Sequence, residues 1–330
     1  MSLTRNSRSR AALLAAVLTC FGSAAYAQTP GPVAGAAKKT RLAFVTNNPS
    51  DYWTICRKGT EAAARDLGTV QVEFVMPSDG GIATQKQDVD ALLTKGVRGI
   101  AISPVDPANE TPYLNGVAAR TNLITADSDA AASRRLCYVG TDNHAAGVMA
   151  GRLIRKALPL GGQVMLFVGR RDAQNASDRI AGIRDALRGS RSTILGVQTD
   201  DADHARARKN VVDTLVRHPH VAALVGIWSY NGPAIYSAVQ GAGRAGKVKI
   251  IAFDEESDTL NGIQTGAIYG TIAQQPYRFG YESVKLLAAL VRGDKRGIPA
   301  GRRLVIPTVA ITRVNLGAYQ AQHKKQLAGD

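Results

Sequence analysis

The sequence predicts an α/β protein built from two doubly wound domains with parallel sheets. Three observations carry this expectation. From Arg41 onward, short runs of β-branched and apolar residues alternate with amphipathic segments of helical period, which is the signature of right-handed βαβ units. About ten such runs are more than one open sheet of ordinary width holds, and they divide naturally between two. The third observation is the stretch Ala267-Ile-Tyr-Gly-Thr-Ile-Ala-Gln-Gln-Pro276. Ile268 to Ala273 reads as a buried strand. Pro276 follows where a first helical turn has no amide bond to lose. Gly280, Val284, Leu287 and Val291 then recur at spacings of four, three and four, one apolar helix stripe. Two glutamines at the carboxyl end of such a strand stand where open α/β sheets bind ligands.

The elements follow in order. Leu42 to Thr46 is a strand, and Tyr52, Cys56, Gly59, Ala63 and Leu67 share one face of a helix. Val70 to Val75 is a strand, followed by a helix carrying Ile82, Val89, Leu92 and Leu93. Val97 to Ser103, Leu123 to Ala126 and Tyr138 to Gly140 are three more strands. Asp142 or Asn143 caps the helix of Gly147, Ala150, Gly151, Ile154 and Leu158. The second half repeats the scheme, with strands at Val164 to Val168, Ile194 to Gln198, Ala222 to Ile227, Val248 to Phe253 and Ile268 to Ala273.

The N-terminus reads as an export signal. Arg5, Arg8 and Arg10 precede an apolar run from Ala11 to Phe21, and Ala25-Tyr26-Ala27 supplies a cleavage site after residue 27. A lipoprotein anchor at Cys20 is the rival, but Leu18-Thr19 is a poor match to the small residue expected before it. The apolar run is shorter than the roughly 20 residues of a permanent span. Residues 28–38, with Pro30, Gly31, Pro32 and Gly35, read as a disordered leader. Removing 27 of the 330 residues takes the formal charge from +15 to +12, since three arginines and no acid leave. The remaining Lys and Arg are spread along helix faces without interleaved aromatics, which argues against nucleic acid as a partner. Cys56 and Cys137 fall on a helix and at a strand start, and are expected to be two separately buried thiols.

Most chemical motifs are missing or misplaced. Gly241-Ala-Gly243-Arg-Ala-Gly246 has dinucleotide-type glycine spacing, but it follows a helix and precedes a strand, the reverse of the order that seats a pyrophosphate. It reads as a helix stop. The five histidines are scattered, and no metal set, nucleophile elbow or phosphate loop is found, so neither a metal nor a cofactor is expected. What recurs is polar and aromatic chemistry at strand ends: Ser50, Asp51, Tyr52 and Trp53; Asp127, Ser128 and Asp129; Asp172 to Arg179; Trp228 to Asn231; Asp254 to Glu256; Gln274 and Gln275. Carboxylates and amides against an arginine suit hydroxyls that both donate and accept, and an aromatic plane suits the C–H face of a sugar ring.

At these residues the chain resembles the periplasmic substrate-binding proteins of sugar ABC transporters, in the group of the ribose-binding protein. The resemblance runs from Arg41 to about Thr312. Its carriers are Asn48-Pro-Ser-Asp-Tyr-Trp53 with Lys58-Gly59, Gly99-Ile-Ala-Ile-Ser-Pro104, Leu123-Ile-Thr-Ala-Asp127, Gly140-Thr-Asp-Asn143, Arg179-Ile-Ala-Gly182, Phe253-Asp254 and Gly270-Thr-Ile-Ala-Gln-Gln-Pro276. It implies two Rossmann-like lobes joined by a three-segment hinge, one of residues 39–141 plus 275–307 and the other of 142–274 plus 308–330. It implies ligand contacts from Tyr52, Trp53, Asp127, Arg179, Asp254 and the hinge residue Gln274, to which the strand-end pattern adds Ser50, Trp228 and Asn231. The function implied is capture of a monosaccharide or small polyol in the periplasm by a monomer, without catalysis, and delivery to an ABC permease. A sensor presenting its ligand to a membrane kinase or chemoreceptor is the alternative. A transcription regulator would need a helix-turn-helix where this chain has its export signal. The chain departs from the ribose binders at Ser128, where they carry arginine, at Ser50-Asp51, where they carry asparagine, and around Trp228 to Asn231. These departures bear on which sugar is bound.

Overall fold

The computed structural model describes residues 39–328. The expected signal segment, 1–27, and leader, 28–38, lie outside the described residues. In the first half, strands β1 (Thr40–Val45), β2 (Val70–Val75), β3 (Gly99–Ile102), β4 (Asn122–Ala126) and β5 (Tyr138–Gly140) alternate with helices α1 (Asp51–Leu67), α2 (Ile82–Thr94) and α3 (Pro107–Ala118). The second half comprises α4 (Asn143–Ala157), β6 (Gly162–Val168), α5 (Gln174–Leu187), β7 (Ser192–Thr199), α6 (His204–Arg217), β8 (Val221–Gly226), α7 (Asn231–Gly241), β9 (Lys249–Phe253), α8 (Ser257–Thr265) and β10 (Gly270–Ala273). The chain then continues through α9 (Pro276–Val291), β11 (Arg303–Val305), β12 (Val309–Thr312) and α10 (Leu316–Ala328).

Two six-stranded sheets result, ordered β11-β5-β4-β3-β1-β2 and β12-β10-β9-β8-β6-β7. All pairings are parallel except β10 with β12. Within each sheet the first two strands lie in reversed order before the rest march outward. The switch points therefore fall between β1 and β3 in one lobe and between β6 and β8 in the other, and loops beyond the strand carboxyl ends there are the natural ligand crevice. Strands buried on both faces explain the near-continuous apolar runs read from the sequence: β3 and β10 are buried at every residue.

The chain passes between the two sheets three times, after β5, after β10 and between β11 and β12, and the crossings are tied together. Ile306 N donates to Gly140 O at 2.7 Å, and Gln275 Nε2 donates to Pro307 O at 2.6 Å. The fold is the two-lobed architecture expected, with corrections at its edges. Two of the twelve strands were not anticipated: β11 and β12 are three and four residues long, largely unburied edge strands on either side of Pro307, and proline and exposure hide the alternation. The strand expected from Val97 begins at Gly99, because Val97 N donates to Leu92 O and closes α2 instead. Similarly, Ile268 N is drawn to Gly262 O, so β10 starts only at Gly270.

Local signals otherwise agree with geometry. Asp142 caps α4, its Oδ1 accepting from Ala145 N at 3.0 Å, and Pro276 sits in the first turn of α9. The Gly241–Gly246 segment ends α7, with Gly243 and Gly246 at φ 63° and 78°. Close helix packing in the first lobe rests on Gly280, where a Cβ would overlap the Cys56 carbonyl. Cys56 and Cys137 are free, fully buried thiols in the core of that lobe.

Candidate functional site

Six apolar strands end in polar side chains that converge on one cleft, lined from both lobes. Asp127 and Asp254 each follow the last residue of a buried strand, β4 and β9, and each adopts a left-handed backbone, φ 62° and 67°. Aspartate tolerates this region better than most residues, and such strain collects at functional sites.

Asp127 is 4% exposed. Its Oδ1 accepts from the Tyr52 hydroxyl at 3.0 Å and its Oδ2 from Ser103 Oγ at 3.3 Å. The Tyr138 hydroxyl, shared between the carbonyls of Asp127 and Thr141, ties the same turn to the first crossing. Burial lifts the Asp127 carboxyl to about 6, opposed by the nearby Arg179 guanidinium. Asp254 is also raised by burial, again against the pull of Arg179. Its Oδ1 accepts from Gln274 Nε2 at 2.9 Å, which fixes the hinge glutamine beside it.

Arg179 lies in the first turns of α5 and is 1% exposed. Nε donates to Asn143 Oδ1 at 2.9 Å and Nη1 to the Ile227 carbonyl at 2.9 Å. The guanidinium carbon stands 4.6 Å from the centre of the Phe253 ring. Nη2 is buried and has no partner, and neither does Gln274 Oε1. A buried, unpaired guanidinium nitrogen is costly. Two such atoms, one donor and one acceptor, belong to residues that line this cleft.

The aromatic walls come from both lobes. Trp53 packs edge-on against Tyr52, ring centres 4.9 Å apart at 84°, and donates Nε1 to Asn47 Oδ1 at 3.2 Å. Trp228 faces them from the second lobe and donates Nε1 to Asn175 Oδ1 at 3.3 Å. The cleft is lined by Ser50, Tyr52, Trp53, Asp127, Arg179, Trp228, Asp254 and Gln274 among the expected residues.

Asn231 is placed differently. It is 1% exposed, donates Nδ2 to Asp200 Oδ2 at 3.0 Å and accepts from Trp228 N at 3.1 Å, so it holds the turn under Trp228 instead of lining the cleft. Five residues outside the expected contact set also line it: Asn47, Asn48, Asn175, Ser229 and Tyr230. Asn47 and Asn48 follow Thr46 directly beyond the carboxyl end of β1, the same position that marks the other strand-end residues. Asn143, noted only as a cap, orients Arg179.

Among the described residues no group of three His, Cys, Asp or Glu side chains is placed to hold a metal. Comparison with known proteins gives the family. The model of the periplasmic binding protein domain matches residues 42–295. The ribose import binding protein RbsB of Escherichia coli is 26% identical over 270 residues, 79% of this chain and 88% of that protein. An ABC transporter solute-binding protein from Burkholderia graminis, solved in complex with D-arabinose, superposes with a TM-score of 0.80 at 30% identity, covering 86% of this chain and 98% of that one. GanP, a glucose–galactose binding protein from Geobacillus stearothermophilus, superposes at 0.79 with 29% identity, covering 84% and 99%. With two lobes of this topology and a buried polar cleft between them, the chain belongs to the periplasmic binding protein domain family.

Proposed function

We propose that the protein, exported to the periplasm, captures a neutral monosaccharide or small polyol by lobe closure and delivers it to an ABC permease. The moving bodies are residues 39–141 plus 275–307 and 142–274 plus 308–330. The observation that carries this reading is the pair of unsatisfied buried atoms, Arg179 Nη2 and Gln274 Oε1, in a cleft shared with two aspartates and two tryptophans. A hydroxyl satisfies either atom. Two carboxylates face one guanidinium, so an anionic ligand would add a negative charge to a site already in excess of it. Ligands of the relatives, ribose and D-arabinose, are of the same neutral class.

Closure follows from differential contact. Tyr52 and Asp127 come from the first lobe, and Arg179 and Asp254 from the second. A ligand touching both lobes stabilises only the form in which they meet. Moving the lobes from 1:99 to 99:1 in favour of closure takes about 5.5 kcal/mol of preference. A few charge-assisted hydrogen bonds of ~1.5–3 kcal/mol each supply it. Binding needs no bond chemistry from the protein.

A thermal-shift panel of pentoses, hexoses, polyols, sugar acids and amino acids tests the ligand class. Ligand at a hundred times its dissociation constant adds about 2.7 kcal/mol to stability, several degrees for a chain of this size. Shifts confined to a few neutral sugars or polyols are expected. A clear shift from an amino acid with none from any sugar would overturn the reading.

The raised Asp127 carboxyl adds a pH dependence. In the empty fold this group holds its proton more tightly than in the unfolded chain. Its contribution to stability is therefore largest in acid and is lost as pH rises from about 4 to about 6. A ligand hydroxyl donating to Asp127 favours the ionised form, so binding expels the proton. Sugar affinity is expected to fall about tenfold between pH 7 and pH 5. Asp127→Asn, which has no proton to expel, should flatten the profile measured by calorimetry, and an unchanged slope would remove Asp127 from the ligand's contacts.

A further inference from the structure

The cleft does not end at the walls that close around one ring. Asn47, Asn48, Ser50, Trp228 and Tyr230 also line a second space of about 250 Å3 that adjoins it. Its far walls are Ser78, Asp79 and Gly80 from the first lobe and Arg170, Asp201 and His204 from the second.

This vestibule is built rather than left over. Ser128 lines it at 1% exposure, and its Oγ has no hydrogen-bond partner. Tyr230 stacks on His204, ring centres 4.6 Å apart at 10°. The Tyr230 hydroxyl donates to buried Asp200, which also accepts from Asn231 Nδ2 and from Ala202 N at 3.0 Å. Asp201 and Ala202 are held at φ 53° and 63° in the same loop. Backbone strain of this kind persists only where the surroundings over-determine it, and here it fixes the aromatic ring. Trp228 and Tyr230 stand at 71° to each other, 6.3 Å apart, and both border both spaces. One pair of rings therefore offers planes to two ligand rings. The polar walls carry both signs, Asp79 and Asp201 against Arg170, which suits a second neutral, hydroxylated unit rather than a charged one.

We propose that the vestibule is a second sugar subsite, so that a disaccharide or glycoside whose first ring fills the cleft is a ligand of this protein. The proposal rests on the reading of the cleft as a sugar site. Ser128 Oγ and the Tyr230–His204 stack receive the second unit, while Arg179, Asp127 and Asp254 grip the first.

Calorimetry separates the two readings. The neutral sugar giving the largest thermal shift is titrated beside disaccharides and methyl glycosides that extend it at each hydroxyl in turn. At least one extended ligand is expected to bind as tightly as the free sugar or tighter. Ser78→Trp places a large ring on an exposed wall of the vestibule alone. It should weaken that extended ligand about tenfold or more, roughly 1.4 kcal/mol, with the free sugar unchanged. His204→Ala, which removes the stacked ring, should act in the same direction. Retained free-sugar binding also shows that each variant is folded. If every extension weakens binding about tenfold or more, or if both variants leave the extended ligand as tight as before, the second subsite does not exist and the cleft reading stands. If the wild type binds neither free nor extended sugars, the cleft reading itself fails and the subsite falls with it.

Discussion

Arg179→Ala is expected to lower sugar affinity at least about 30-fold while the fold persists. The guanidinium is 1% exposed, and its charge opposes the burial of two carboxylates, Asp127 and Asp254. Removing one member of a buried charged set costs about 2–5 kcal/mol in binding, because the remaining charges stay buried without compensation. Both aspartates would rise further once the cation that opposes their burial is gone. At neutral pH they would then stand protonated more often, and their hydroxyl-accepting capacity would fall with the charge. Arg179→Lys should recover little, since a compact ammonium cannot hold Asn143, the Ile227 carbonyl and a ligand hydroxyl at once. Asp254→Asn is the matching test in the same lobe. Asparagine accepts the left-handed backbone at this position, φ 67°, where alanine would add strain and confuse binding with folding. Calorimetry on variants shown folded by circular dichroism decides it. Affinity within about twofold of wild type for either would remove that residue from the ligand's contacts.

The two aspartates and Arg179 were legible to different degrees, for physical reasons. An acid directly after an apolar strand announces itself, because strand ends in α/β sheets face the ligand crevice. Asp127 and Asp254 stand out in that way, and the family resemblance adds the expectation that they touch ligand. Arg179 sits inside a helix, where an arginine is ordinarily solvated, and local sequence gives no sign that it is buried. The strand-end run Asp172 to Arg179 held it among several polar residues, and the family resemblance singled it out. The misplaced residue is as informative. Asn231 follows β8 as the others follow their strands, yet it turns inward because Asp200, 31 residues earlier, offers it a buried carboxylate. Tyr230 donates to the same carboxylate and is thereby held at the cleft wall. That exchange depends on a pairing between two loops that no local pattern encodes. The edge strands were hidden for a similar reason: β11 and β12 exist because β5 and β10 offer free edges, not because of their own propensity.

The second large effect concerns how the arginine is held in place. Helices α4 and α5 pack at the switch-point side of the second sheet, and Gly147 of α4 lies against the backbone of Arg179 itself. A Cβ on Gly147 would overlap the Arg179 carbonyl and crowd its carbonyl and α carbons. Backbone cannot rotate aside as a side chain does, so the helices would have to separate. Gly182 meets the His144 carbonyl in the same way from the opposite helix, and the contact is therefore close on both sides. Overpacking of this kind costs typically 1–3 kcal/mol and sometimes more. Gly147→Val adds two further methyl groups to a β-branched side chain, so a loss of about 3 kcal/mol or more is expected. Part of that cost would be relieved by shifting α5, and α5 carries the guanidinium that Asn143 of α4 now orients at 2.9 Å. The variant should therefore lose ligand-induced stabilisation as well as intrinsic stability. For a chain of this size each kcal/mol is worth roughly 1.5–2 °C, so a fall in Tm of about 5 °C or more is expected without ligand. The further shift that sugar gives the wild type should shrink or vanish. A Gly147→Val protein that melts within about 2 °C of wild type and responds to sugar normally would show that the two helices have room to part, and that Arg179 does not depend on their contact.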